Sequence, residues 1–101
     1  MELRVQSVTW SAEGILLFDL RPPGEDALPP FTAGAHVDVC MPGGIRRSYS
    51  LLNDCAERHR YVIGVQKETG GRGGSRWMHE SLQAGARVTV CGPRNHFPLA
   101  E

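Results

Sequence analysis

No apolar run in this chain goes far before a glycine or a proline cuts it, and that punctuation excludes most architectures. Short stretches rich in Val, Ile, Leu and Tyr recur between the breaks, a pattern of many short strands rather than of helices. The spacing predicts strands over residues 2–10, 14–21, 35–41, 45–51, 60–67 and 86–92. The first two read as a hairpin around Ala12, Glu13 and Gly14, and the third and fourth turn at PGG, residues 42–44. PPGEDALPP, residues 22–30, holds four prolines and reads as a loop, because proline has no N–H to give to a sheet ladder. A single segment breaks the strand rhythm. GSRWMHESLQAG, residues 74–85, has Ser75 placed as a helix N-cap, Trp77, Met78 and Leu82 toward one side, and Gly85 as the stop. It is the one predicted helix, with Trp77 and Met78 packing it onto the rest. The expected fold is all-β: a six-stranded antiparallel Greek-key barrel with one capping α-helix, closed because closure removes exposed sheet edges.

A chain of 101 residues has room for one modest core, so residues 1–101 form one domain. Eleven basic and eleven acidic side chains cancel, which leaves no broad field to steer the chain onto nucleic acid or anionic lipid. Any anion site must be local. No stretch of about 18 apolar residues occurs and no signal-peptide pattern opens the chain, so the expected location is cytoplasmic. Cys40, Cys55 and Cys91 are an odd, widely spaced set that suits neither a disulfide framework nor a CxxC-type cluster, and they read as reduced thiols. His36, His59, His79 and His96 are as scattered, so no metal site is expected.

Two stretches have the residue types for chemistry. In RRSYSLL, residues 46–52, alternation puts Arg47, Tyr49 and Leu51 on one face and Arg46, Ser48, Ser50 and Leu52 on the other. An arginine fork beside a tyrosine ring suits a ligand with both a phosphate and a flat aromatic body. A barrel strand with a solvated arginine and a half-buried tyrosine satisfies the same pattern. KETGGRGGSRWMH, residues 67–79, sets four glycines around Arg72 and then opens the helix at Ser75. Glycine-rich turns leave backbone N–H groups free to approach a phosphate, and a helix N-terminus adds positive potential. It is neither a Walker A loop, since no lysine separates Gly74 from Ser75, nor a dinucleotide fingerprint, since Arg76 stands where the third glycine would be. An ordinary hairpin-to-helix connection remains open.

With both pieces in one small domain, the chain resembles a known family. RSYSL at 47–51, GAHVDV at 34–39, GGRGGSRWMH at 70–79 and GPRNHFPL at 92–99 occur in the order found in the flavin-binding barrel of ferredoxin-reductase-like enzymes. Within that superfamily the chain is most similar to the phthalate dioxygenase reductase and vanillate O-demethylase reductase group. The resemblance implies a cofactor-binding set of Arg47, Ser48, Tyr49, Ser50, Leu51, Gly71, Arg72, Gly73, Gly74 and Ser75. In it Arg47 binds the flavin phosphate, Tyr49 packs on the isoalloxazine, and Ser50, the catalytic member, sets its hydroxyl near the flavin N5. Gly73, Gly74 and Ser75 match the phosphate loop, with Arg72 beside them. His36, Asn53, Asn95 and His96 fall in family-like stretches without an assigned chemical role, as turn or core polar groups satisfied by backbone.

The resemblance implies FMN, the cofactor of the most similar group, whose one terminal phosphate suits the anion site; an FAD-binding variant of the same barrel is the alternative, although no adenosine site is identifiable. The implied function is that of an electron-transfer reductase component, carrying electrons from NADH through flavin to an iron–sulfur centre and on to a Rieske-type aromatic oxygenase or demethylase. The NADH-binding domain and the plant-type [2Fe–2S] ferredoxin domain of such enzymes lie outside this sequence, which has no C-x4-C-x2-C. A truncated or split protein that supplies the flavin platform is expected, with those domains in cis or in trans, a terminal oxygenase as partner, and no nucleic acid or membrane. Two other readings fit the barrel alone: a module binding peptide or single-stranded nucleic acid through Tyr49 and basic residues, and a barrel that only docks a partner.

Overall fold

In the run YVIGVQ, Tyr61, Ile63 and Val65 are fully buried while Val62, Gly64 and Gln66 face outward, the two-residue period of a strand with one face on a core. A computed structural model of the chain describes residues 1–24, 27–66, 77–79 and 82–95. These residues include six strands: β1 (Glu2–Ala12), β2 (Ile15–Arg21), β3 (Ala35–Cys40), β4 (Arg46–Ser50), β5 (Tyr61–Gln66) and β6 (Arg87–Asn95). They form one antiparallel sheet in the order β4-β3-β6-β1-β2-β5. Its two ends meet where Leu51 bridges Ile63 and the Leu52 N–H donates to the Val62 carbonyl at 2.8 Å, which closes the sheet into a barrel. The final strand returns between β1 and β3, the long-range step of a Greek key.

Both expected turns form. Ala12 pairs with Ile15 across Glu13 and Gly14, and Pro42–Gly44 makes a short 3-10 turn with Gly43 and Gly44 at positive φ. Leu3, Val5, Phe18, Leu20, Val37, Val39, Ile63, Val65, Val88 and Val90 fill the interior from five of the strands. Tyr61 lies among them with its ring edge-on to Phe31, centroids 5.6 Å apart, and its hydroxyl donates to the Pro29 carbonyl. That bond ties the proline-rich loop to the barrel.

Two boundaries differ from expectation by more than two residues. β6 does not stop at Gly92: it runs to Asn95 because a bulge absorbs Gly92 and Pro93, with Asp38 opposite Cys91 and His36 opposite Arg94. Gly92 sits there at φ +105°, and a Cβ would meet the His36 carbonyl at 3.3 Å. The helix does not continue to Gly85. Residues 77–79 are helical, but residues 82–86 are not, because their backbone is drawn onto β1: Gly85 N–H donates to Val5 O, and Val5 N–H to Ala86 O, both at 2.8 Å. Residues 74–76 and 80–81 lie outside the described residues. Met78 and Leu82 are buried and Trp77 is half-buried against the core, as their expected packing role requires.

Candidate functional site

On β4 the alternation is visible in exposure: Arg46, Ser48 and Ser50 are exposed, Arg47 and Tyr49 are half-buried, and Leu51 just beyond is buried. Arg47 and Tyr49 thus share a face. Across the ladder Arg47 pairs with Val39 and Tyr49 with Val37, both fully buried, and the Tyr49 ring packs against the core cluster. Arg47 Nη1 donates to the Arg46 carbonyl at 3.3 Å, and Arg47 forms no ion pair among the described residues.

Among the described residues β4 is bonded along one side. Its ladder to β3 runs from Arg46 to Ser50, whereas toward β5 the described residues show one bridge, Leu51 to Ile63, and no ladder along Arg46–Ser50. Among the described residues the barrel is therefore open along this seam. Because the bridge is antiparallel, β5 runs from Ile63 to Gln66 toward the Tyr49 and Arg47 end of β4. The chain leaves β5 there. Gly71, Arg72, Gly73, Gly74 and Ser75 follow, and they lie outside the described residues. In residues 77–79, His79 Nε2 lies 2.8 Å from the Val65 carbonyl, which ties these helical residues to β5 beside the seam. His79 carried no sequence signal beyond its place in the helix.

The far end of the seam is fastened by Asn53. Its Nδ2 donates to the Arg60 carbonyl and its Oδ1 accepts from the Val62 N–H, both at 2.9 Å, so the 51–60 loop is held on β5. This is the backbone-satisfying role expected for a polar turn residue. Arg60 continues outward, bonding Glu57 at 3.0 Å and Asp19 at 3.1 Å, and Asp19 also accepts from Arg21. Burial raises the Asp19 carboxyl, but the two arginines outweigh it and the net shift is downward.

The outward face of β4 carries a second network that sequence reasoning missed. Ser48 donates to Asp38 Oδ1, and Arg94 grips the same carboxylate with two bonds, Nη1 to Oδ2 at 2.6 Å and Nη2 to Oδ1 at 2.9 Å. Asp38 is 3% exposed. The Arg94 guanidinium, with Ser48 in support, holds its carboxyl below the ordinary carboxylate range despite burial. The available signal was Asp38 itself, an acid inside the apolar run of GAHVDV, which demands a cation. Ser48 is thus committed to Asp38. Ser50, the expected N5 hydroxyl, is exposed and pairs in register with His36, whose other neighbour is Arg94. Beside that row a cavity of about 180 Å³ opens between Pro30, Phe31, Thr32, Ala35, Pro93 and Arg94. Asn95 pairs through its backbone with Ala35, and His96 lies outside the described residues. No helix among the described residues is long and apolar enough to cross a membrane.

Known proteins share this architecture. No protein-family model matches the chain. A phenoxybenzoate dioxygenase subunit beta of Ectopseudomonas oleovorans is 56% identical over 101 residues, covering 100% of this chain and 32% of its own length. A vanillate O-demethylase oxidoreductase of Pseudomonas putida is 53% identical over 77 residues, 76% of this chain and 24% of its own. A solved phthalate dioxygenase reductase, described as a modular structure for electron transfer from pyridine nucleotides to [2Fe–2S], superposes with TM-score 0.92 at 45% identity. The match covers 98% of this chain and 31% of that one. The chain spans about a third or less of the length of these relatives. Near-complete coverage of this chain at such identity, with the six-stranded sheet and its short helix superposed, makes it a ferredoxin-reductase-like barrel domain of the group that includes phthalate dioxygenase reductase and vanillate O-demethylase oxidoreductase.

Proposed function

We propose that the open β4–β5 seam holds FMN and that the chain is the flavin platform of an NADH-dependent reductase component. One observation carries this reading: among the described residues, a strand edge is left open beside a half-buried tyrosine and an arginine with no carboxylate partner. Arg47 would bind the phosphate as a charged, forked donor, and Tyr49 would offer a ring face already stiffened by the core. Gly71, Arg72, Gly73, Gly74 and Ser75, which follow β5 in the sequence, would supply backbone N–H groups to the same phosphate. Leu51 lies at the apolar floor of the seam, and Ser50 would donate a hydrogen bond near N5. When bound, the flavin supplies the chemistry of accepting a hydride from NADH and passing electrons singly to an iron–sulfur centre. The protein's share is to bind, orient and tune. FMN is favoured over FAD because one phosphate satisfies Arg47 and the glycine turn.

The relatives support the wider setting: the phthalate enzyme transfers electrons from pyridine nucleotides to [2Fe–2S], and others are named as dioxygenase or demethylase components. In this reading an NADH-binding domain and a ferredoxin domain, in cis or in trans, and a terminal oxygenase complete a cytoplasmic electron path. Titration of flavin-free protein with FMN and FAD tests the site. FMN binds, and Arg47→Ala weakens it by about 1.5–3 kcal/mol, a lost charged hydrogen bond. Protein that stays colourless after incubation with either flavin refutes the reading and leaves a binding or docking barrel. The 101-residue chain alone should show negligible NADH turnover.

A further inference from the structure

Cys40 and Cys91 lie on the outward face of the barrel, on β3 and β6, with their Sγ atoms 3.8 Å apart. Nothing in the sequence joins them, since 51 residues separate them. The ladder does: Cys40 pairs with Thr89 and Cys91 with Asp38, which makes the two cysteines diagonal neighbours beside the Gly92 and Pro93 bulge. Both are partly exposed, as free thiols. Among the described residues no group of three or more His, Cys, Asp and Glu side chains is placed to hold a metal, so two sulfurs alone do not make a tetrahedral site.

The surroundings of Cys91 are charged, with Asp38 opposite it in register. Arg94, three residues on, is held in its charged form chiefly by Asp38 and also interacts electrostatically with the Cys91 sulfur. The anionic sulfur is the form that attacks peroxides. A second thiol in van der Waals contact then resolves the product before further oxidation.

We infer that Cys91 and Cys40 form a peroxide-sensitive modification site, Cys91 reacting first and Cys40 closing a reversible cross-strand disulfide. The Cys91 thiolate attacks one oxygen of hydrogen peroxide, the O–O bond breaks, and the departing hydroxide takes up a proton as water, leaving a sulfenic acid. Cys40 then attacks that sulfur, the S–S bond forms, the S–O bond breaks, and a second water leaves. Two thiols and one peroxide become one disulfide and two waters, the two electrons passing from the sulfurs to the peroxide. Diagonal ladder positions lie about 7–8 Å apart at Cα, longer than a relaxed disulfide spans, so local twist at the bulge must close the gap. A bond formed under that constraint is readily reduced, as a switch requires. The inference does not depend on flavin binding.

The test uses the full chain carrying Cys55→Ser, because exposed Cys55 would otherwise give intermolecular products. After hydrogen peroxide treatment the intact mass falls by about 2 Da, a non-reducing digest yields a linked Cys40 and Cys91 peptide pair, and dithiothreitol restores the original mass. In the same background Cys40→Ser abolishes the link and leaves Cys91 as a sulfenic acid captured by dimedone, while Cys91→Ser abolishes both products. Stable oxygen adducts with no linked peptide, or two thiols that stay reduced under peroxide concentrations that consume Cys55 in the unsubstituted chain, would overturn the inference.

Discussion

Asn53 fastens the closed end of the seam, and Asn53→Ala should loosen it by a measurable amount. The substitution removes two neutral hydrogen bonds, the donation to Arg60 O and the acceptance from Val62 N–H, both at 2.9 Å. Each is worth about 1 kcal/mol net, and a backbone N–H left facing protein adds a desolvation cost. Asn53 is half-buried, so water recovers part of the loss. The expected destabilisation is about 1.5–2.5 kcal/mol. For a domain of this size that lowers the melting temperature by about 8–15 °C and the urea midpoint by roughly 1–2 M. Flavin-free protein is the right sample, since bound ligand would add its own stabilisation. The same variant should also bind FMN more weakly, because Leu51 and Leu52, which join β4 to β5, lie directly upstream of the lost clamp. An unchanged urea midpoint would show that the 51–60 loop holds β5 without Asn53 and that the seam is closed by something else.

Ser50→Ala should leave FMN affinity nearly unchanged but shift the flavin reduction potential, measured by spectroelectrochemistry; no shift removes Ser50 from the tuning of N5. Gly92→Ala should destabilise the fold by about 1–3 kcal/mol in chemical unfolding, because an L-residue at φ +105° is strained and its Cβ meets the His36 carbonyl at 3.3 Å. Wild-type stability there would mean that the bulge relaxes freely. Asp38→Asn bears on pH. The Asp38 carboxyl is held below its ordinary value of 3.8 by Arg94, so its contribution to stability is full above that value and disappears as pH falls through the lower folded one. The stability gap between wild type and Asp38→Asn should therefore be widest near neutrality and narrow toward pH 3, with Asp19 and Glu57 acting equally in both. A gap independent of pH would contradict the ion pair.

Strands were legible wherever one face is buried, because burial imposes a period of two. YVIGVQ and RRSYS read correctly for that reason, and the two tight hairpins followed from their glycines. The helix end was not legible: Gly85 looks like a C-terminal stop, yet what ends the helix early is β1 recruiting the backbone of residues 85 and 86. β6 overran its expected end because a bulge made room for Pro93, and bulges depend on the partner strand. In the candidate site the shared face of Arg47 and Tyr49 was readable from alternation. The open seam was not, since it depends on β5 meeting β4 at one residue. Asp38 with Arg94, and Cys40 with Cys91, join positions 56 and 51 residues apart that only the ladder between β3 and β6 brings together.

That ladder also sets the order in which the molecule can be assembled. β6 pairs with β3 on one side and β1 on the other, so without it the sheet is two pieces, β4 with β3 and β1 with β2 and β5, whose backbones among the described residues join at the Leu51–Ile63 bridge and the Leu52–Val62 hydrogen bond. Hairpins β1–β2 and β3–β4 can form early from local contacts, but the edges of β1 and β3 stay unpaired until residues 87–95 are available. On a ribosome that means the last of these six strands to be synthesised is the one that joins the halves, so the nascent barrel waits with two open edges until β6 emerges. Folding should therefore be a late, single event with a rate limited by long-range closure, and mutations in β6 should slow refolding more than equally destabilising ones in the β1–β2 hairpin.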